Sequence, residues 1–381
     1  MAERVLVAMS GGVDSSVAAA LLHEEGCDVL GVTLQLWGKD VCASSGSRLC
    51  CSVRDTMDAR AVAKRLGIAH EVLELETVFR QRVIGYFVDS YRSGLTPNPC
   101  IACNDHIKFG ELIAYADRLG ASRLATGHYA RLDRDAETGS LRLRRALDAN
   151  KDQSYVLFNL KSDQLARVRF PLGGMTKDAV RGAARALGFR TADKPDSQDV
   201  CFVRDRDKNG FLRREVNGAE RPGPIVDRAG RRLGAHQGLL GFTIGQREGL
   251  GLAAGVPLYV LEIDTPGNRL VVGRREELLR RSLHASGLNW IGDPRGGTER
   301  FAEGGCGIGR AEVKIRSRHV PAGATMVPLG DGGICVRFDE PQSAVTPGQA
   351  AVLYDGDTVL GGGWIARESC DGQDGPQCRA A

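Results

Sequence analysis

Hydrophobic positions in the first third of the chain alternate between short apolar runs and segments with helical spacing. The apolar runs predict four strands, over Val5–Met9, Asp28–Trp37, Ala69–Leu75 and Arg123–Ala130. Helical spacing predicts one helix through Val17–Leu22 and another over Asp55–Leu66. Strands that alternate with helices of this length pair in parallel, so we predict an α/β fold class with a doubly wound parallel sheet.

The hydrophobic pattern changes beyond about residue 204. Glycine, proline and arginine become frequent there, and helical spacing fades. From about Leu283 onward short alternating strands follow, over Ala311–Arg318, Gly333–Phe338 and Ala350–Leu353. This pattern predicts a small β-barrel, followed by a polar, glycine-rich tail from Glu368.

Length, charge and cysteine content narrow the class of protein. The chain has 381 residues, enough for two or three domains, and a net charge of only +4, so any affinity for nucleic acid must come from local basic faces. It contains no apolar run of the ~20 residues that span a membrane, and its first residues leave no room for a signal peptide. We therefore expect a cytoplasmic protein whose 11 cysteines serve catalysis or metal binding rather than a disulfide framework.

The sequence Ser10–Ser16 (SGGVDSS) follows the first predicted strand and opens the first predicted helix. Its glycines let backbone N–H groups approach an anion, and the helix directs its positive dipole end to the same place. The loop lacks the lysine that contacts the β- and γ-phosphates in phosphoryl-transfer enzymes. An ordinary strand–turn–helix junction is the structural alternative. The motif resembles the pyrophosphate loop of ATP pyrophosphatases, and Thr126-Gly127-His128 is predicted to lie beside it at the carboxyl ends of the strands.

Two separate motifs present cysteines. Cys100 and Cys103 lie in TPNPCIACN, where the two prolines predict a rigid extended loop rather than a helix, and Cys201 lies in DSQDVCF. Together with an adenylating loop they indicate sulfur transfer, because adenylation makes a carbonyl oxygen a good leaving group and a thiolate or persulfide then replaces it. The alternative for the C-x-x-C pair is zinc or iron–sulfur ligation, as it is for the cluster Cys42, Cys50 and Cys51.

The remaining cysteines are predicted to have no chemical role. Cys27, Cys306 and Cys335 are expected to be inert core residues, and Cys370 and Cys378 to be incidental residues of the tail.

A predicted strand near the C-terminus carries basic residues at alternate positions. Within Val313–Arg318, the side chains of Lys314, Arg316 and Arg318 would share one face and could contact phosphates. A solvated strand face is the alternative. Three further arginines, Arg142, Arg144 and Arg145, form a second basic group before Asn150.

Several motifs, in a fixed order, extend the resemblance over almost the whole chain. They are SGGVDSS, TPNPCIACN, ATGHYAR, NKDQSYVL, DSQDVCF, HQGLLGFTIGQREGLG and TPGQAAVLYDGDTVLGGG. From about Arg4 to Ile365 the sequence closely resembles the tRNA-specific 2-thiouridylase family. The resemblance implies ATP-dependent 2-thiolation of the wobble uridine of tRNA. The 2-carbonyl oxygen would be adenylated and replaced by sulfur from a cysteine persulfide, with release of AMP and pyrophosphate.

The same resemblance implies a domain organisation and partners. It implies an ATP-pyrophosphatase catalytic domain over residues 1–205, a small central domain over 206–282, a tRNA-binding C-terminal β-barrel over 283–367 and a flexible tail over 368–381. ATP and Mg²⁺ would be required, and a sulfur-donor protein such as a cysteine desulfurase or a relay protein would supply sulfur to a monomeric enzyme.

Residue roles follow from the motif positions. The ATP-contacting positions are Ala8, Met9, Ser10, Gly11, Gly12, Val13, Asp14, Ser15, Leu34 and Gly127. Asn98, Pro99 and Cys100 fall where the family contacts the target base, whereas Cys103 matches the first catalytic cysteine and Cys201 the persulfide carrier. The tRNA-contacting positions are Lys151, Asp152, Gln153, Arg316, Ser317, His128 and Gln349.

Cys100 departs from the family pattern, since many members carry an aspartate at this position as a candidate general base. Its replacement leaves the general base unassigned and offers two schemes. In the first, Cys103 attacks the persulfide on Cys201 and leaves a disulfide. In the second, Cys100, Cys103 and Cys201 hold an iron–sulfur cluster.

Two other functions are consistent with parts of the sequence. A pyrophosphate-loop enzyme acting on a small molecule would explain Ser10–Ser16 but neither the cysteine motifs nor the barrel. A metal-binding or redox-sensing RNA-binding protein would explain the cysteines and the basic strand but would leave the phosphate loop without a role.

Overall fold

The computed structural model of the protein describes residues 2–37, 53–196, 200–203, 207–216, 220–253, 255–292, 309–368 and 370. Cys42, Cys50, Cys51, Cys306 and Cys378 lie outside the described residues. The chain divides into two compact units. The first contains residues 1–84, 99–206 and 357–359, and the second contains residues 85–98, 207–356 and 360–381.

A parallel sheet of five strands forms the centre of the first unit. Its strands are β1 (Arg4–Ala8), β2 (Asp28–Gln35), β3 (Ala69–Glu74), β4 (Arg123–Thr126) and β7 (Val168–Arg169), in the order β3-β2-β1-β4-β7. Val5, Leu6 and Val7 are all fully buried, as expected for a central strand covered on both faces. The predicted doubly wound α/β fold is thereby confirmed. The fourth strand ends at Thr126, earlier than predicted.

Helices of the first unit connect these strands. Their bounds are α1 (Val13–Glu24), α2 (Val53–Leu66), α3 (Glu76–Phe79), α5 (Pro99–Ala102), α6 (Leu112–Arg118), α7 (Ser162–Arg167) and α8 (Lys177–Ala186), with α4 (Gly85–Arg92) and α9 (Lys208–Glu215) in the second unit. Two π-helical segments occupy Arg80–Ile84 and Cys103–Glu111, and 3₁₀ turns occupy Ser154–Leu157 and Arg275–Leu278. Small residues such as Ala18 and Ala19 on α1 are fully buried, which lets this helix pack closely on the sheet.

The helix that begins at Pro99 corrects the prediction of an extended loop over TPNPCIACN. Proline is favoured at the first helical position because its missing N–H has no intrahelical partner there. The two prolines therefore set the start of a helix, which continues from Pro99 through the π-helical segment Cys103–Glu111 to Arg118. π-Helical turns are rare and often occur at functional sites.

A hairpin completes the first unit. Its strands β5 (Ala130–Arg134) and β6 (Leu141–Arg145) are antiparallel, and Thr358 and Val359 add to β6. The second basic group predicted from the sequence lies on β6, and two of its arginines form ion pairs: Arg142 pairs with Asp133 and Asp135, and Arg144 pairs with Asp133 and Asp357.

The second unit contains two β-structures. A four-stranded sheet consists of β8 (Gly223–Val226), β9 (Arg232–His236), β10 (Tyr259–Asp264) and β11 (Arg269–Gly273). The barrel consists of β12 (Leu279–Trp290), β13 (Gly309–Lys314), β14 (Ala322–Pro328), β15 (Ile334–Ser343), β16 (Ala350–Asp355) and β17 (Thr358–Ile365). It closes because β12 pairs with β15 on one side and with β17 on the other. The predicted small β-barrel is therefore confirmed.

The strand that was expected to carry three cations on one face ends at Lys314. Val313, Lys314 and Ile315 are all buried, and Lys314 places its Nζ 5.9 Å from the ring centroid of Tyr354. Arg316 and Arg318 lie in an exposed turn after the strand. Val313 and Ile315 share the core face as predicted, but the predicted face of three cations was wrong because Lys314 is buried and the strand ends at this residue.

Cys335 and Cys370 form a disulfide, with Cα atoms 5.9 Å apart. Both residues are buried beside Val327. Cys335 is a core residue as predicted, but the interpretation of it as inert, and of Cys370 as incidental, was wrong. Among the helices within the described residues, none is long and apolar enough to cross a membrane.

Candidate active site

The loop between β1 and α1 is built around hydroxyl–backbone hydrogen bonds. Ser15 Oγ accepts the N–H of Ser10 at 3.1 Å and donates to the Gly12 carbonyl at 3.2 Å, and Ser16 Oγ donates to the same carbonyl at 2.8 Å. Gly11 has a φ of +71°, and a Cβ on it would collide with the backbone of Asp55. The loop is thereby closed around the N-terminus of α1, where free N–H groups favour an anion.

Gly127 brings the end of β4 against this loop. Ala8 of β1 pairs with Thr126 of β4, and a Cβ on Gly127 would lie 2.8 Å from the Ser15 nitrogen. Met9 continues the strand pairing, since its N–H donates to the Val32 carbonyl at 2.8 Å, and Leu34 lies buried further along β2. The loop and Thr126-Gly127 thus meet at the carboxyl ends of the strands.

Asp14 lies in the first turn of α1 and accepts hydrogen bonds from two side chains. Lys177 Nζ lies 2.8 Å from both carboxylate oxygens, and the Tyr129 hydroxyl donates to Oδ1 at 2.7 Å. Burial and the neighbouring Asp14 carboxylate raise the pKa of Tyr129, so its hydroxyl remains a donor at neutral pH. These contacts occupy Asp14 and do not fit its direct coordination of Mg²⁺. The metal would instead enter on the phosphates of ATP.

A second lysine supports the loop from the other side. Lys194 Nζ donates to the Gly11 carbonyl at 2.9 Å and pairs with Asp55 at 2.6 Å and Asp58 at 2.7 Å. Burial lowers the pKa of Lys194, but the bonds to Asp55 and Asp58 outweigh it and raise the pKa. Lys194 therefore remains charged and connects the loop to the start of α2.

Asp196 lies two residues beyond Lys194 and binds three cations. Its oxygens lie 2.7 Å from Lys151 Nζ, 2.8 Å from Lys177 Nζ and 3.3 Å from Arg181 Nη2. Burial raises the pKa of Asp196, but the bonds from Lys151 and Lys177 lower it to about 2. The carboxylate is ionised throughout the physiological range.

Family models match three consecutive stretches of the chain. The model of a tRNA methyl transferase HUP domain covers residues 3–205, and a tRNA methyl transferase PRC-barrel domain covers residues 209–274. An aminomethyltransferase β-barrel domain covers residues 280–365.

Curated relatives match nearly the whole chain. The chain is 50% identical over 370 residues to the tRNA-specific 2-thiouridylase MnmA of Heliobacterium modesticaldum, covering 96% of this chain and 93% of the relative. It is 48% identical over 373 residues to the protein of the same name from Geobacter metallireducens, covering 97% of this chain and 98% of the relative. The chain belongs to the tRNA-specific 2-thiouridylase family. The family named on the sequence motifs is therefore confirmed.

The cysteine motif of this thiouridylase family member lies on the helix that begins at Pro99. Cys100 is exposed and Cys103, which opens the π-helical segment, is partly buried. The next two residues, Asn104 and Asp105, hold this turn in place through hydrogen bonds. Asn104 Nδ2 donates to the Val156 carbonyl at 2.9 Å, and Asp105 accepts from Asn159 Nδ2 at 3.0 Å. This anchoring fits a fixed position for Cys103.

Cys201 lies in a short turn whose neighbour is anchored in the core. The turn closes through the Val203 N–H and the Val200 carbonyl at 3.0 Å. Phe202 is buried with its ring centroid 5.9 Å from that of Phe79 and 6.4 Å from that of Trp37. In the described part of the chain, no three histidine, cysteine or acidic side chains group as a metal site, so Cys100, Cys103 and Cys201 do not form a preformed cluster site.

Asn98 and Gln349 belong to the second unit, in which Thr96 contacts the loop after β15. Gln349 Nε2 donates to the Thr96 carbonyl at 2.9 Å, and the Thr96 N–H donates to the Pro347 carbonyl at 2.9 Å. The structure thus brings the predicted tRNA-contacting Gln349 to the segment that precedes the predicted target-base residues.

Side chains of the Lys151–Gln153 segment are engaged within the first unit. Lys151 binds Asp196, Asp152 accepts hydrogen bonds from the Ser154 N–H and hydroxyl, and Gln153 Oε1 accepts the Tyr129 N–H at 2.9 Å. These bonds hold the segment in its conformation.

His128 is buried between aromatic rings, which does not fit direct contact of its side chain with RNA. Its Nδ1 lies 2.7 Å from Thr126 Oγ1 and its Nε2 lies 3.3 Å from Lys108 Nζ. Burial first, and then the charge of Lys108, lower the pKa of His128 well below its usual range. The ring is therefore neutral and holds Lys108 in place.

Arg316 and Ser317 keep the exposure expected of a nucleic-acid contact. Both lie in the turn after β13, and Arg316 donates one hydrogen bond, to the Ser343 carbonyl at 3.3 Å. Arg318 is exposed in the same turn.

Sequence reasoning missed Lys177, Tyr129 and Lys194, which hold the loop and its helix. One signal was present for the first of these. A lysine in the first turn of a helix opposes the helix dipole, so Lys177 after the capping Thr176 indicated a paired cation.

Proposed function

We propose that the protein is an ATP-dependent tRNA sulfurtransferase that replaces the 2-carbonyl oxygen of the wobble uridine with sulfur. The observation that carries the proposal is the combination of a lysine-free phosphate loop with Cys103 and Cys201 in one unit. It occurs in a chain that is 50% identical, over nearly its full length, to a relative named a tRNA-specific 2-thiouridylase.

The loop and its helix N-terminus support the first half-reaction. Backbone N–H groups of Gly11–Ser15 would bind the phosphates of ATP, and Leu34 would border the adenine. The uridine O2 attacks the α-phosphate, so the O–P bond forms as the bond to pyrophosphate breaks. The adenylated oxygen is then a leaving group.

The two cysteines support the second half-reaction. Cys201 carries a persulfide, and the Cys103 thiolate attacks its inner sulfur, which forms a Cys103–Cys201 disulfide and releases hydrosulfide. The two thiols are oxidised as the outer sulfur is reduced. Hydrosulfide adds to C2 and expels AMP, and an external thiol reductant later reopens the disulfide.

Partners follow from this chemistry. A cysteine desulfurase or a relay protein would load Cys201, and the substrate would be a cytoplasmic tRNA with a wobble uridine. The exposed turn of Arg316–Arg318 and the loop of Gln349 would contact the tRNA, and we propose that the enzyme acts as a monomer with domains at 1–205, 206–282 and 283–367.

The testing experiment supplies ATP, Mg²⁺, persulfide-loaded protein and an unmodified tRNA transcript. We expect AMP, pyrophosphate and 2-thiouridine, and Asp14→Ala should suppress all three without unfolding the protein. ADP as the nucleotide product would contradict the proposal. A small-molecule pyrophosphatase would turn over without tRNA, and a binding protein would release no pyrophosphate.

A further inference from the structure

One buried ammonium bridges two carboxylates from different parts of the first unit. Lys177 Nζ lies 2.8 Å from both oxygens of Asp14 and 2.8 Å from Oδ1 of Asp196. The lysine is 8% exposed. Asp14 belongs to the phosphate loop, whereas Asp196 lies five residues before Cys201 in the sequence.

The position of Lys177 is unfavourable by itself. It is the first residue of α8, where the helix dipole repels a cation, and it is almost removed from water. Two carboxylates compensate for both effects. Because buried ion pairs contribute little net stability compared with apolar packing, stability alone does not account for a lysine at this place.

The Asp196 end of the bridge is held rigidly. Arg181, one helical turn after Lys177, donates to the carbonyls of Ala192 and Lys194 at 3.2 and 3.3 Å as well as to Asp196. Residues 192–196 are thus fastened to α8 at several points. The Lys177–Asp14 pair adds a connection from α8 to the phosphate loop, beside the bond from Lys194 to the Gly11 carbonyl.

We propose that Lys177 is a positioning residue that holds the phosphate loop in register with the segment bearing Cys201. The inference rests on the proposed function, because it assigns adenylation to one end of the bridge and sulfur delivery to the other. The bridge keeps the adenylated base where the sulfur of Cys201 arrives. Without it, water attacks C2 of the adenylated uridine and expels AMP, which restores uridine after ATP has been consumed.

The readout is therefore a ratio, namely 2-thiouridine formed per pyrophosphate released. Persulfide-loaded protein, loaded with a cysteine desulfurase and cysteine, is mixed with ATP, Mg²⁺ and an unmodified tRNA transcript. Lys177→Met should lower this ratio by at least about tenfold, since small displacements of reacting groups have effects of this size. A purely structural loss would lower both products together and leave the ratio unchanged.

Asp196→Asn tests the other end of the bridge and is nearly isosteric, which keeps the test available if Lys177→Met does not fold. It should lower the ratio while pyrophosphate release stays within about threefold of the wild-type rate, because Lys177 still pairs with Asp14. Lys64→Met is the matched control, since Lys64 is an exposed lysine of α2 in the same unit.

The double variant Lys177→Met/Asp196→Asn distinguishes the effect of an uncompensated negative charge from the effect of losing the bridge. Lys177→Met leaves two carboxylates facing each other without their shared cation, and Asp196→Asn in the same chain removes one of them. The double variant should therefore recover pyrophosphate release relative to Lys177→Met while its ratio stays low. If both single variants fold and show the wild-type ratio, the inference about Lys177 is wrong and the proposed function is unaffected. A wild-type protein that releases no pyrophosphate with tRNA would overturn the proposed function itself.

Discussion

A Cβ placed on Gly127 would lie 2.8 Å from the backbone nitrogen of Ser15 and 2.9 Å from the carbonyl carbon of Asp14. The end of β4 therefore touches the first turn of α1 backbone to backbone. Rigid backbone on both sides leaves no flexible group that could move aside for a methyl group. The shape of the phosphate loop therefore depends on the absence of a side chain at Gly127 as well as at Gly11.

Gly127→Ala should therefore weaken nucleotide binding by displacing the start of α1. We expect the KM for ATP in tRNA-dependent pyrophosphate release to rise by about tenfold or more, because the phosphate-binding N–H groups move away from their productive positions. Gly182→Ala is the matched control, since Gly182 lies exposed on α8 with nothing within 4 Å of an added Cβ. Equal KM values for the two variants would contradict this account.

The hydrophobic pattern alone located the central sheet, because strands buried on both faces require continuous apolar runs such as Val5–Val7. The sequence pattern gave wrong predictions where two local conformational preferences compete. The proline pair at Pro97 and Pro99 was consistent with both an extended segment and a helix start, and only the packing of the following residues decides between them. Lys314 was expected to share a phosphate-binding face with Arg316 and Arg318, but it is buried and the strand ends at this residue.

Long-range pairings were beyond the sequence pattern. Cys335 and Cys370 are 35 residues apart in the chain, and nothing in their spacing indicates the disulfide. Asp14, Lys177 and Asp196 likewise come from three separate segments. Motifs identified the loop and the cysteines, whereas the side chains that hold them in place became visible only in the folded unit.

The turn after β13 should contact tRNA through phosphates. Replacing both Arg316 and Arg318 with alanine should weaken binding and make the log–log salt dependence shallower by up to about 0.9 per lost contact. Lys314→Met should leave the slope unchanged and lower the melting temperature instead, because Lys314 is buried over the ring of Tyr354.

Arg310→Ala is the control for this experiment. Arg310 also lies on the barrel, but it already pairs with Asp339 at 2.6 Å, so its removal should change the salt dependence little. Titrations of binding at several salt concentrations measure all the slopes. A double arginine variant with the wild-type slope would exclude this turn as the phosphate contact.

Phe202 should restrain the cysteine beside it. Its ring packs with Trp37 and Phe79, so any outward movement of Cys201 must first remove Phe202 from the core. Phe202→Ala should raise the rate of Cys201 alkylation by about tenfold or more, because it lowers the free energy of local opening. Peptide mass spectrometry on the reduced protein measures this rate.

Phe189→Ala provides the comparison, because Phe189 is also buried in the first unit, in a core cluster that does not include Phe202. Both substitutions should destabilise the unit by about 3–5 kcal/mol. Only Phe202→Ala should increase the reactivity of Cys201 selectively. Equal increases in the two variants would indicate general loosening rather than a restraint by Phe202.

Cys100→Asp distinguishes the two schemes of sulfur chemistry, because it restores the residue that many family members carry. Under the persulfide scheme Cys103 and Cys201 suffice, and the aspartate supplies a general base, so thiolation should persist at or above the wild-type rate. Under the cluster scheme one of three thiolate ligands is lost, so iron content and activity should fall together. Anaerobic purification followed by iron and sulfide analysis and a thiolation assay measures both quantities.

We expect thiolation to persist in Cys100→Asp, since the described structure does not group the three cysteines as a metal site. Cys201→Ser should abolish thiolation in either scheme, and a fully active Cys201→Ser protein would contradict both.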